Sequence, residues 1–154
     1  MRSLGRAARL SAGAVGPPGK RTFFLEIDGE MGREWFVLEK EQLSALAAHG
    51  LELLGREPGP AADPAIVSPP AGEPAFRVAE IGLGTEEGAV VVLLSPDGEG
   101  EPVAFTADAE SFAAMARGAL AVVAAGRPRC RLCGLPLDSE GHACPGGNGD
   151  LRRR

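Results

Sequence analysis

Three cysteines occur in the chain, and all fall in one short stretch: Cys130-Arg-Leu-Cys133, eight further residues, then His142-Ala-Cys144. Zinc takes four thiolate or imidazole ligands at tetrahedral corners. A C-x2-C turn sets two sulfurs on one side of an ion, and the short H-x-C pair closes the other side. Gly134, Gly141 and Gly146 relieve the tight backbone between them. Four protein ligands fill the shell and leave no place for a reacting water, so the site reads as structural Zn2+. Two other uses fit less well. A disulfide leaves one cysteine over in a chain without a secretion signal. A redox C-x-x-C needs a strand-to-helix setting, whereas this one follows a helical pattern and sits among Gly and Pro. The module is too small to build its own core, so metal binding contributes its folding energy.

Charge marks the same boundary. Residues 126–154 hold Arg127, Arg129, Arg131, Arg152, Arg153 and Arg154 against Asp138, Glu140 and Asp150. That tail carries a net +3, which leaves −8 on the first 125 residues of a chain whose overall charge is −5. A basic ribbon on an acidic body gives Arg127, Arg129 and Arg131 as candidate anion or partner contacts. It disfavours a protein that coats nucleic acid with its whole surface. A second basic pair, Lys20 and Arg21, follows Gly16-Pro-Pro-Gly19. This run lacks the G-x4-GK[ST] spacing of a phosphate loop and reads as a turn between strands whose two cations could hold an anion. Gly82-x-Gly84-x-x-x-Gly88 has the wrong spacing for a dinucleotide fingerprint. His49 reads as a boundary histidine of a helix, and Glu39 and Glu41 suit a helix start. With no Tyr, one Trp (Trp35) and six Phe, material for stacking on single strands is confined to Phe23, Phe24 and Trp35.

The elements that must position these residues come in two sets. Residues 41–54 place Leu43, Leu46, Ala47, Gly50, Leu51 and Leu54 on one helical face. Residues 110–123 repeat the pattern with every position offset by 69: Phe112, Met115, Ala116, Ala119, Leu120 and Val123. Upstream of the first helix, Thr22–Asp28 alternates as a half-buried strand and Arg33–Leu38 returns from an Asp28-Gly29 turn. Ala8–Val15 reads as a weak opening strand. In the second set, Phe76–Leu83 switches apolar parity near Ala79, the mark of a β-bulge. Ala89–Ser95 is a buried strand, Pro102–Phe105 a short edge strand, and Thr106 the expected N-cap with Asp108 in the first turn. Between the sets, residues 55–74 contain six prolines and three glycines, which suit a linker or a PPII-like excursion.

The expected fold class is therefore α+β: two βββα repeats, an antiparallel sheet packed by two helices, and a small C-terminal zinc ribbon. The expected boundaries are 1–54 for the first repeat, 55–74 for the linker, 75–125 for the second repeat, 126–149 for the ribbon and 150–154 for a basic tail. No run approaches the ~18 apolar residues of a membrane-spanning helix. The first 25 residues hold five basic side chains and no acid, which superficially looks like a targeting segment. However, Arg9 interrupts the apolar run and small residues dominate 11–16, so a secretory signal is not expected and the chain reads as cytoplasmic.

The run Ala124-Ala-Gly-Arg-Pro-Arg-Cys130 through Cys144-Pro-Gly-Gly-Asn148-Gly149 resembles the C-terminal signature of an actinobacterial conserved family, a domain of unknown function (number three thousand and ninety). Val15-Gly-Pro-Pro-Gly-Lys-Arg21-Thr-Phe-Phe-Leu25, Leu38–Leu43 and Phe76-Arg77-Val78 are similar to other blocks of that family, so the resemblance spans nearly the whole chain. Arg131 stands where the family usually has Pro, and Gly146 where it has Arg. The resemblance implies a bacterial cytosolic protein of no established activity, often encoded beside histidine-phosphatase-like and kinase-like proteins. Together these features point to a non-enzymatic binding or adaptor protein with a structural Cys3His zinc. Two other classes stay open: a nucleic-acid binder using the arginine-rich ribbon, and an enzyme of unrecognised type with a cleft between the repeats.

Overall fold

The computed structural model describes residues 1–17, 19–59 and 69–125. Period-two burial builds three strands in the first half, β1 (Arg2–Val15), β2 (Thr22–Gly29) and β3 (Gly32–Leu38), followed by helix α1 (Lys40–Leu53). The second half runs β4 (Val78–Glu86), β5 (Ala89–Pro96), β6 (Val103–Ala107) and α2 (Ala109–Ala124). The protein is thus α+β, with one six-stranded sheet in the order β3-β2-β1-β6-β5-β4 and two helices.

Neighbouring strands within each half are antiparallel, but β1 and β6 run parallel, so the sheet is mixed and not antiparallel throughout. The reason is topological. β6 leads into α2 and lies beside the first strand of the chain, so no hairpin joins the two and no reversal is imposed.

The two outer strands of that order also meet. The Ala75 N–H donates to the Trp35 carbonyl at 2.7 Å, the Val37 N–H donates to the Phe76 carbonyl at 3.2 Å, and Val37 pairs in parallel with Arg77. The sheet therefore curls until its edges touch, and both seams between the halves are parallel. Each seam has the same register. Arg6 lies opposite Thr106 in one, and Arg77 lies opposite Val37 in the other. Inward-facing rows correspond as well: Ala12–Leu25–Phe36 in the first half, Leu83–Val92–Phe105 in the second. Both first strands bulge at the matching step, between Ala7 and Arg9 and between Val78 and Glu80. The second of these is the bulge that the parity switch near Ala79 foretold.

One apolar cluster joins the inner faces of the strands to the buried faces of both helices, with Leu25, Phe36, Phe105, Leu43 and Phe112 at its centre. The helices meet at Gly50, where an added Cβ would lie 2.1 Å from the Phe112 ring. Several expected details shift. The opening strand starts at Arg2, because Leu4 and Ala7 are also buried inward. The strand expected at an edge, β6, is central, pairing with β1 on one side and β5 on the other. Thr106 lies within β6, and Asp108 is the N-cap of α2, its carboxylate accepting from the Ser111 N–H at 2.7 Å.

Candidate functional site

The outward face of the first half carries the charge that the inward face excludes. Strand parity sets Arg9 and Ser11 of β1, Glu26 and Asp28 of β2, and Arg33 and Trp35 of β3 on one side. Cross-strand register places Arg9 opposite Asp28, Asp28 opposite Arg33, and Glu26 opposite both Ser11 and Trp35. With Pro69, Pro70 and Ala71 on one flank and Ser111 and Ala114 of α2 on another, these residues line an open cleft of about 700 Å³.

The partners within the cleft divide unevenly. The Arg33 Nε donates to Glu26 at 2.9 Å. Glu34 at the rim is clasped by Arg2 through two bonds of 2.5 and 2.8 Å. The hydrogen bonds from Arg2 hold the Glu34 carboxyl below the usual carboxylate range. Among the described residues, neither Arg9 nor Asp28 is in an ion pair. Trp35 is held edge-on to Phe24, with ring centroids 6.2 Å apart and planes at 82°. Phe24 in turn lies over Gly13, where a Cβ would come within 2.6 Å of the ring. The Trp35 indole N–H is shielded from solvent and has no hydrogen-bond partner among the described residues.

Charged groups elsewhere hold the frame. Arg77 donates to the α1 N-cap Glu39 at 3.0 Å, while the Glu39 N–H donates to Gln42 Oε1 at 2.7 Å. In the matching place of the other half, the Ser111 N–H and, with a smaller effect, the Arg6 charge keep Asp108 well ionised. Arg56 donates to Glu110 at 2.6 Å and lowers its pKa.

Of the residues singled out in the sequence, Arg21 does structural work. Its Nη1 donates to the Val122 and Ala125 carbonyls at 3.1 and 2.9 Å, at the negative end of α2. Its guanidinium also lies 5.9 Å from the centre of the Phe23 ring. Lys20 is exposed in the turn closed by its N–H to the Pro17 carbonyl at 3.0 Å, with Gly16 and Gly19 at positive φ. Those two cations thus serve different ends. His49 is exposed and borders a smaller cleft of about 180 Å³ with Gln42, Ile81 and Leu83. The metal candidates Cys130, Cys133, His142 and Cys144, and Arg127, Arg129 and Arg131, lie outside the described residues.

The sequence reading missed Arg9, Asp28 and Arg33 as a group. In the sequence Arg9 reads as an interruption of an apolar run, whereas strand parity along β1, β2 and β3 is the signal that gathers all three on one face.

No helix among the described residues is long and apolar enough to cross a membrane. A family model described as "Protein of unknown function (DUF3090)" matches residues 3–144. No curated protein and no solved structure matches the chain.

Proposed function

The chain belongs to this family of proteins of unknown function, and from that premise we propose that it is a non-enzymatic binding or adaptor protein. In this reading it comprises two copies of one βββα unit and a structural zinc module at Cys130, Cys133, His142 and Cys144. Duplication is supported by the shared seam register, the matching bulges and the N-caps Glu39 and Asp108, which stand 69 residues apart like the helical faces after them. Zinc is supported by the C-x2-C and H-x-C spacing, and three thiolates beside a metal suit a reducing cytoplasm.

The observation that carries the binding reading is where the charges go. Arg2, Arg21, Arg56, Arg77, Glu39 and Asp108 tie strands and helix ends together. Arg9 and Asp28 are left facing an open cleft. A rigid frame that presents a shaped, charged surface suits recognition. Resemblance adds phosphatase-like or kinase-like proteins as candidate partners.

Metal analysis of the full chain, purified under reducing conditions, is expected to give one zinc per chain. Cys133→Ser and His142→Ala should lower it together with the ribbon's resistance to proteolysis. Well under one zinc with all thiols intact would overturn the metal assignment. Gel filtration with a phosphatase-like or kinase-like protein from the same cell tests the adaptor role. If the chain instead retains RNA or DNA on a filter at low salt, with affinity falling steeply as salt rises, the arginines of the ribbon define a nucleic-acid binder.

A further inference from the structure

The two halves place a cleft at corresponding positions, between the first strand of one half and the helix of the other. Their contents differ. Gln42 and Ser111 occupy the same third position of α1 and α2, after the N-caps Glu39 and Asp108. The Gln42 amide reaches across to donate to the Val78 and Ala79 carbonyls at 2.9 and 3.2 Å and seals its seam. What remains there is the small cleft beside Ala45, Ile81 and Leu83. Ser111 is shorter, and its backbone N–H serves Asp108; among the described residues no side-chain hydrogen bond joins α2 to β1, so the other seam has no such seal. That side opens into the larger cleft over Arg9, Ser11, Glu26 and Trp35.

We propose that this larger cleft is a binding site for a small zwitterion with an apolar body, of the class of free α-amino acids with large apolar side chains. The charge pattern selects the class. Arg33 donates to Glu26 and lies opposite Asp28, so one cation serves two acids. Glu34 is neutralised by Arg2. One positive group, Arg9, and one net negative charge at Asp28 and Glu26 remain, on directly opposed positions of β1 and β2. Opposed Cα atoms of an antiparallel pair are about 4.5–5.5 Å apart. A simple anion on Arg9 would therefore meet Asp28, and a simple cation on Asp28 would meet Arg9. A molecule carrying a carboxylate and an ammonium a few ångströms apart answers both. Its apolar body finds Trp35, Pro69 and Pro70 on the cleft wall. Ser11 and Ser111 line the same cleft, each with a hydroxyl able to donate or accept a hydrogen bond.

Trp35 also reports the test, because the chain contains one Trp and no Tyr. The full-length chain is titrated with L-phenylalanine and L-leucine, following Trp35 emission and, independently, the heat of binding. 3-Phenylpropionate and phenethylamine, each bearing one of the two charges, are titrated in parallel. Saturable binding of the amino acids is expected, with both single-charge analogues weaker by about tenfold or more. Arg9→Gln and Asp28→Asn should each weaken the amino acids by a similar factor. Thermal melts close to that of the parent show that these variants are folded. Absence of saturable heat and emission change with both amino acids overturns the proposal. So does equal binding of the single-charge analogues, or unchanged affinity in both folded variants.

Discussion

At the scale of single residues, the acids of this protein do most where they meet backbone. Asp108 accepts from the Ser111 N–H at the start of α2, and that bond holds its carboxyl below the ordinary range. A carboxylate with a lowered folded pKa adds stability above its unfolded value, about 3.9 for Asp, and loses it as pH falls through the folded value. Glu34 and Glu110 shift in the same direction through Arg2 and Arg56, but these are ion pairs between side chains, that of Glu110 fully at the surface, and salt screens them. Replacing Asp108 by Asn is expected to keep the cap at neutral pH while flattening the loss of stability below about pH 4. Replacing it by Ala should cost about 1 kcal/mol at neutral pH. Urea midpoints measured from pH 7 down to pH 3, with and without added salt, check both. An Asn variant with the parent's full acid sensitivity would show that other groups govern the acid limb. Apolar neighbours and helix periodicity made the cap region visible in the sequence, but the cap fell at Asp108 and not at Thr106. Periodicity locates a turn of helix, whereas backbone pairing of β6 to Ala107 decides where the strand lets go.

At the scale of elements, the helix crossing is the most sharply determined contact. Gly50 lets α1 approach the Phe112 ring so closely that no β-carbon fits. Gly50→Ala should therefore destabilise the protein by at least about 1–3 kcal/mol, although Ala is the better helix former by about 1 kcal/mol. Pairing it with Phe112→Leu should recover part of the loss, because the smaller side chain returns the volume that the methyl takes. Denaturant midpoints of the two single variants and the double variant give the coupling; simple additivity would show that the two residues do not share one space. The helices and strands themselves were legible, since period 3.6 and period 2 run through Leu43–Leu54 and Thr22–Asp28. The bulge before Glu80 was legible too, as a switch of parity. The mixed pairing of the sheet was not. Parity says which face a residue takes, not which strand lies beside it, and β6 was therefore read as an edge. The candidate cleft is closed by the same kind of long-range neighbour: Arg9, Asp28 and Arg33 share one face of three consecutive strands, as parity indicates, but its flanks come from Pro69, Pro70 and Ser111, which lie far from them in the sequence.

At the scale of the whole molecule, the two parallel seams carry a consequence for assembly. β6 pairs with β1 and β3 pairs with the entry to β4 in corresponding registers, so each half supplies the other with the same two edges. Residues 1–58 alone would leave residues 2–6 of β1 and residues 35–37 of β3 unpaired, and such edges recruit whatever strand fits them. A second copy fits, with Val37 of one taking the place of Thr106 opposite Arg6 of the other. Two copies related by a two-fold axis would satisfy both seams at once and close without further growth. The isolated first half is therefore expected to be a dimer whose melting temperature rises with concentration. At its helix crossing Gly50 would face Leu43, which holds the place of Phe112 69 residues earlier, and Leu leaves room that the aromatic ring fills. Gly50→Ala should then be tolerated or stabilising in the half-length dimer while it destabilises the full chain. Light scattering together with thermal melts of the four proteins decides the matter. A folded monomer, a chain unfolded at every concentration, or a Gly50→Ala penalty equal in both contexts would each show that the halves are not interchangeable in their pairing.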